Sequence, residues 1–231
     1  MPAWKGYQEE AAEFFRSLGA VAETDVTVNG VRTEHDIDVL VRLDLAGFTV
    51  TWIVECKHWK TPVSKLHILA LREIVADLGA DRGILLCEEG FQSGAVEAAN
   101  LTNVQATSLA SLTVSSKEAV SAVRLRALYD LATGCRKRYS AIPKYIRIGH
   151  GLRPDIGDPT GYFGGQVADA AIHLLGRAFR GEYPIHVHPF DFRLASLPER
   201  LDNNEDVVRF LEPQLAELDA RLTAVEALSA I

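Results

Sequence analysis

Cysteine is scarce in this chain of 231 residues: Cys56, Cys87 and Cys135 are the full set, an odd number with no two in a CxxC pair. That spacing excludes a disulfide framework and a structural zinc site built on paired cysteines, and a reducing, cytoplasmic setting is expected. Long apolar runs are missing too. No stretch of about 18 apolar residues gives a signal for a membrane-spanning helix. The opening Met-Pro-Ala-Trp-Lys lacks the charged-then-apolar pattern of a signal peptide. A soluble protein, neither exported nor anchored in a membrane, is expected. Internal repeats and low-complexity segments are absent. Nor is there an excess of positive charge: the formal net charge is −7, the wrong sign for a phosphate-rich partner if the total alone is considered.

Along the chain the charge is uneven. Residues 1–116 carry 9 Lys/Arg against 16 Asp/Glu, residues 117–153 carry 9 against 2, and residues 154–231 carry 6 against 13. One basic stretch between two acidic ones can supply phosphate-binding electrostatics that the whole-molecule charge hides, although such runs are also found as solvated helix faces. The length and a 48% hydrophobic share suit one sizeable globular core plus an accessory segment.

Ala11, Phe14, Phe15 and Leu18 recur at helical spacing over 7–18, and Gly19 stands where a terminating glycine belongs. Strands are expected over 24–28 and 35–45, where apolar and polar residues alternate around Asn29-Gly30, and over 48–57 after Ala46-Gly47. Pro62 opens a helical pattern over 63–78 closed by Gly79. A short buried strand over 82–87, an alanine-rich helix over 92–100 and a weak strand over 103–107 complete the order α-β-β-β-α-β-α-β. Past residue 112 the pattern changes, and 113–231 is read as a mostly helical accessory region. It comprises a helix over 117–132, a Gly- and Pro-rich stretch over 140–165, a helix over 165–179, and a leucine stripe over 205–228 interrupted by Pro213. The stripe is expected to pack on its own core, with a dimerisation helix as the alternative.

If the chain folds back about Ala46-Gly47, Leu45 stands opposite Phe48 and Asp38 opposite Glu55. One face of that hairpin then carries Ile37, Val39, Val41, Leu43, Leu45, Phe48, Val50, Trp52, Val54 and Cys56, a core face on which Cys56 is packing and not a nucleophile. The opposite face carries Asp38, Glu55 and Lys57, the two acids with Cβ atoms about 4.5–5.5 Å apart. Like charges at that distance need compensation from a divalent cation, from the Lys57 ammonium or from both. Hard oxygen ligands plus a cation beside them suit phosphodiester hydrolysis with Mg²⁺. A solvent-facing salt bridge across an antiparallel pair is the alternative that the three residues leave open.

The order helix, Asp38 on a strand, Glu55-Cys56-Lys57 on the next strand, then a helix, resembles the PD-(D/E)xK nucleases. The fuller pattern resembles the Mrr-like restriction endonuclease family. The strings that carry it are Gly6-Tyr7-Gln8, His35-Asp36-Ile37-Asp38-Val39, Val54-Glu55-Cys56-Lys57 with Trp59, Pro62-Val63, Asp81-Arg82-Gly83, and Gly90-Phe91-Gln92 leading to Ala95. The resemblance covers about 4–112. It implies a nuclease domain over 1–112 with a restriction-endonuclease-like α/β core, a central mixed sheet flanked by helices. It also implies metal ligation by Asp38, Glu55 and the Cys56 backbone carbonyl, catalysis by Lys57, Mg²⁺ or Mn²⁺ as cofactor, and DNA as substrate in a restriction or defence role. The family's proline before the metal-binding Asp is absent, and Gln8 stands where many Mrr-like enzymes place a glutamate. Gln8 can orient water or a ligand, and one or two metals remain open. Asp36 is read as a peripheral charge with an extra-ligand role as the alternative.

Arg136, Lys137, Arg138, Lys144 and Arg147, mixed with Tyr139 and Tyr145, form the candidate nucleic-acid contact, against the reading of an exposed helix end and loop. His186-Val187-His188 lies between Pro184 and Pro189 without a third ligand nearby, which leaves little for metal binding. Gly161, Gly164 and Gly165 around Tyr162 and Phe163 match no phosphate-loop spacing and read as a turn. A homodimer is expected, because cutting both strands needs two sites. The rival readings are a nucleic-acid-binding module on the same fold, and an effector whose 113–231 region senses a regulatory ligand or partner protein.

Overall fold

The computed structural model describes residues 2–155, 161–188, 192 and 198–229. The chain divides into two compact units, Met1–Val120 and Ser121–Ile231. The division falls later than the expected 112/113 because helix α4 (Leu109–Ser115) belongs to the first unit. Leu109 and Leu112 pack on the hydrophobic cluster beneath helix α1 (Ala3–Ser17).

Helix α1 buries Tyr7, Gln8, Ala11, Ala12 and Phe15, one face at helical spacing. It ends where Gly19 turns into the left-handed region at φ 84. Strands β1 (Val21–Asn29), β2 (Glu34–Leu45) and β3 (Phe48–Cys56) follow as an antiparallel meander. Helix α2 (Lys65–Leu78), strand β4 (Arg82–Leu86), helix α3 (Ser93–Ala99) and strand β5 (Val104–Thr107) complete the sheet, in which β3, β4 and β5 run parallel. The order is β1-β2-β3-β4-β5, a mixed five-stranded sheet with helices on both faces. This is a mixed α/β architecture in the expected element order.

The β2–β3 register is the expected one, with Leu45 opposite Phe48 and Val39 opposite Val54. The turn has Ala46 and Gly47 both at positive φ, 52 and 87, the backbone twist that matches a two-residue hairpin. The faces differ from the simple alternation. Leu45 and Phe48 are 68% and 74% exposed at the hairpin tip, not core. Leu40 and Ile53 are buried on the other face, because α2 covers what an antiparallel hairpin would otherwise leave to solvent. Ile37, Val26 and Val28 pack with α2, whereas Val39, Val41 and Ala22 pack under α1. Both strands change face at Asp25 and Asp38, which are not paired in the ladder, and Asp25 has φ 54. A local break in the pleat, invisible to alternation, therefore separates Ile37 from Val39.

The β1–β2 connection is held on α2 by Asp77. Its carboxylate accepts from the Arg32 amide at 3.1 Å and the Arg32 Nε at 2.8 Å, and lies 2.8 Å from His35 Nε2. Gly30 is required there, since a Cβ would lie 2.1 Å from an Asp77 carboxylate oxygen.

Helix α5 (Lys117–Ala141), in the second unit from Ser121 on, runs nine residues past the expected end, and buries Ser121, Leu125, Leu128, Ala132, Cys135 and Tyr139 along one stripe. Part of the Gly- and Pro-rich stretch forms helix α6 (Lys144–Gly149), while 156–160 lie outside the described residues. Gly164 and Gly165, expected in a turn, open helix α7 (Gly164–Phe179). Strands β6 (Ile185–His186) and β7 (Arg200–Leu201) pair antiparallel. Helix α8 (Asn204–Ser229) runs uninterrupted through Pro213 and buries Val208, Leu211, Leu215, Leu218, Leu222 and Val225 in this unit's own core.

Candidate active site

The site lies where β2 and β3 part. Their ladder ends at Val39–Val54, after which β3 continues against β4 through Glu55–Leu85 and Cys56–Leu86. The Cys56 amide donates instead to an Asp38 carboxylate oxygen at 2.7 Å. The other Asp38 oxygen accepts from Gln8 Nε2, also at 2.7 Å. Gln8 reaches it from α1 and is 5% exposed, so its amide is committed to Asp38 and not to solvent. Burial pushes the Asp38 carboxyl above the usual carboxylate range and the Glu55 charge adds to this, while the Cys56 amide, Lys57 and Gln8 pull it back. Lys57 donates its ammonium to Glu55. The three residues of the expected constellation are thus brought together, and Gln8 joins them as the support of Asp38.

Asp36 does not join: it is exposed and accepts from the Thr27 hydroxyl at 2.7 Å. Cys56 is buried under α1, and burial pushes its thiol far up, in keeping with a packing residue.

Four further residues gather here, Tyr7, Glu88, His58 and His67. The Tyr7 hydroxyl donates to Glu88 at 2.6 Å, and the same Glu88 oxygen accepts from the Leu109 amide at 2.8 Å. This pins α1 to the end of β4 and to α4, which places Gln8. His58 packs its ring 5.7 Å from that of Tyr7. His67, on α2, lines a small hollow of about 40 Å³ together with Glu55, Lys57 and Leu71. Tyr7 stands in the Gly6-Tyr7-Gln8 string and His58 directly follows Lys57, but nothing in the spacing marks Glu88 or His67, because only the docking of helices on the sheet brings them near.

As a donor set, two carboxylates with a backbone carbonyl are hard oxygen ligands. Each Asp38 oxygen keeps a lone pair beyond the one hydrogen bond it accepts. No cluster of three or more His, Cys, Asp or Glu side chains suited to a metal occurs among the described residues. The remaining positions around a small cation at this site would fall to water and phosphate oxygens, the usual habit of Mg²⁺.

Residues 3–114 match the Mrr catalytic family, described as restriction endonuclease. The first unit belongs to the Mrr-type restriction endonuclease family. This Mrr-type unit is therefore a nuclease domain, of a family that generally works with divalent metal ions. No curated protein matches the chain. A crystal structure of a protein of unknown function, AF1548, is similar at 14% identity and a TM-score of 0.40 over 96% of this chain and 97% of that one.

Outside the Mrr-type unit, the basic stretch is divided by the structure. Arg136 pairs with Asp169 at 2.6 Å, and Arg138 is bound by Asp219, Glu226 and Thr223, so both guanidinium groups serve the packing of the second unit. Arg147 stacks on Tyr139 with its Cζ 4.5 Å from the ring centroid. Lys137 and Lys144 are exposed. Arg136–Tyr139 form the last turns of α5, the helix end of the alternative reading. His186 is paired across β6–β7 with Arg200, and His186 and His188 are exposed while Val187 between them is buried. The flanking Pro189 lies outside the described residues.

Proposed function

We propose that the protein is a metal-dependent endonuclease that hydrolyses DNA phosphodiester bonds, of the restriction or defence type. The observation that carries this reading is the assembly of Asp38, Glu55 and Lys57, with Gln8 behind them, where β2 and β3 diverge. Asp38, Glu55 and the Cys56 carbonyl would hold Mg²⁺, or Mn²⁺ in its place. Such an ion, when bound, offsets charge on the phosphate and makes water a better nucleophile. Gln8 and the Cys56 amide fix the Asp38 carboxylate by one hydrogen bond to each oxygen. Glu55 holds the Lys57 ammonium at the site, from where it can orient the attacking water and counter the charge that grows on the phosphoryl oxygens.

The remaining elements of the reading are a cytoplasmic setting, DNA contact through Lys137 and Lys144, and a homodimer that presents one site to each strand. The first is supported by three cysteines that are all free and buried. No helix among the described residues is long and apolar enough to cross a membrane.

A second reading, a nuclease gated by a ligand, is favoured by one feature of the second unit. The Tyr139 and Tyr162 hydroxyls and the Arg147 Nε are buried without a hydrogen-bond partner among the described residues, which a bound polar molecule would satisfy.

Cleavage of plasmid DNA by the purified protein with Mg²⁺, with EDTA, and with Lys57→Ala in parallel tests the proposal. Cleavage is expected with Mg²⁺ alone, and Lys57→Ala is expected to lower the rate on the order of 100-fold or more, with its circular dichroism unchanged. Intact substrate under every condition, including methylated and single-stranded DNA and RNA, overturns a free-standing nuclease. Cleavage that begins only on addition of a small molecule supports gating.

A further inference from the structure

We propose that Trp59 and His67 form a stacking platform for an unpaired nucleobase next to the scissile phosphate. The preferred cleavage site is then a locally unstacked nucleotide, as in a gap, flap, loop or single strand. This rests on the nuclease reading above and adds to it the form of the substrate.

Trp59 lies two residues past Lys57 in the connection between β3 and α2. It is 40% exposed, a large apolar surface left open at the edge of a polar site. The ring is nonetheless held. His67 meets it edge-to-face, with centroids 4.7 Å apart at 77°. The Lys57 ammonium lies 5.3 Å from its centroid. The connection is pinned at its far end, where the Val63 amide donates to the Gly90 carbonyl and the Val63 carbonyl accepts from the Gln92 amide, both at 3.0 Å. Glu55, Lys57 and His67 line one hollow, so the platform and two members of the catalytic constellation share a wall. A phosphate drawn to Lys57 therefore brings its own nucleotide up to Trp59.

The chemistry of base recognition then selects the substrate. In a B-form duplex the faces of the bases are covered by their neighbours, and only edges are offered in the grooves. An aromatic ring gains stacking only from a base that has left the stack. Every base has such a face, so the platform selects an unstacked nucleotide without selecting sequence. Loss of one stacking contact is expected to weaken binding on the order of 10- to 100-fold. His67 acts here as a positioning residue, through Trp59. A Trp59 that merely holds Lys57 in place would affect paired and unpaired substrates equally, which separates the two roles.

The test uses the full chain in EDTA, where cleavage is off, with two oligonucleotides carrying 2-aminopurine. In one the probe sits in a single-stranded gap of a duplex, and in the other it is fully paired. Binding is followed by anisotropy and stacking by quenching of the probe. Wild type is expected to quench the gapped probe. Trp59→Ala should abolish the quenching and weaken gapped binding 10- to 100-fold with less than about a twofold change for the paired duplex. Trp59→Phe should retain part of both, and His67→Ala should reduce the quenching with Trp59 still present. A gapped oligonucleotide that is unbound, or bound without quenching, overturns the proposal, as does an equal loss on both substrates in Trp59→Ala. Addition of Mg²⁺ separates the two readings: quenching that depends on Trp59 without cleavage of either substrate refutes the nuclease and leaves the platform, whereas cleavage without quenching refutes the platform alone.

Discussion

Asp77 shows what one side chain does in the first unit. Its carboxyl is held down to about 2 from an ordinary value of 3.8, chiefly by the Arg32 side chain and then by His35. A carboxyl whose folded value is depressed contributes stability above its unfolded value, and that contribution is lost as pH falls through the folded one. Asp77→Asn is therefore expected to lower the thermal midpoint by several degrees at pH 7. The gap from wild type should stay constant down to about pH 4 and close toward pH 2. A melting series over that range checks it, and a gap unchanged down to pH 3 contradicts it. Nothing in the sequence pairs residues 32 and 35 with 77, since the contact exists only once α2 lies across the β1–β2 connection. By contrast, Asp38, Glu55 and Lys57 were legible as neighbours, because counting from the Ala46-Gly47 turn brings 38 near 55, although the ladder stops at Val39–Val54 and Asp38 meets the Cys56 amide instead of facing Glu55. Gln8 was legible as a site residue, yet its bond to Asp38 depends on how α1 docks.

Among the elements, α8 holds a proline in its interior. The ring at Pro213 removes one backbone hydrogen bond and crowds the preceding turn, at a cost of about 3 kcal/mol in an isolated helix. The helix persists because Leu211, Leu215, Leu218 and Leu222 are fully buried around it, each worth about 1.5–3 kcal/mol of burial. Pro213→Ala should raise the stability of the second unit by about 1–3 kcal/mol, read as a higher urea midpoint in circular dichroism. A lower midpoint would mean that the core needs the proline ring. The same competition between local rule and packing explains the β2 error. Alternation put Ile37 with Val39, but the pleat breaks at Asp25 and Asp38, and the two valine and isoleucine neighbours serve different cores.

At the scale of the whole molecule, the two units have separate cores, and all three tryptophans, Trp4, Trp52 and Trp59, lie in the first. Tryptophan fluorescence therefore reports the nuclease unit alone, while circular dichroism sees both. Leu215→Ala opens a cavity in the second core and should cost about 2–5 kcal/mol there. The dichroism transition should move to lower denaturant while the fluorescence transition stays. Coincident shifts in both would show that the units unfold as one.

The sequence by itself determined the order of elements in the first unit, the hairpin register and the nearness of Asp38, Glu55 and Lys57. These follow from periodicity, turn residues and spacing, which act over short stretches of chain. Tertiary structure decided which faces are buried, which helix side chains reach the site, and that Arg136 and Arg138 pair within the second unit instead of remaining free cations. Those outcomes depend on contacts between segments far apart in sequence, and neither composition nor local pattern encodes the geometry with which one packed element meets another.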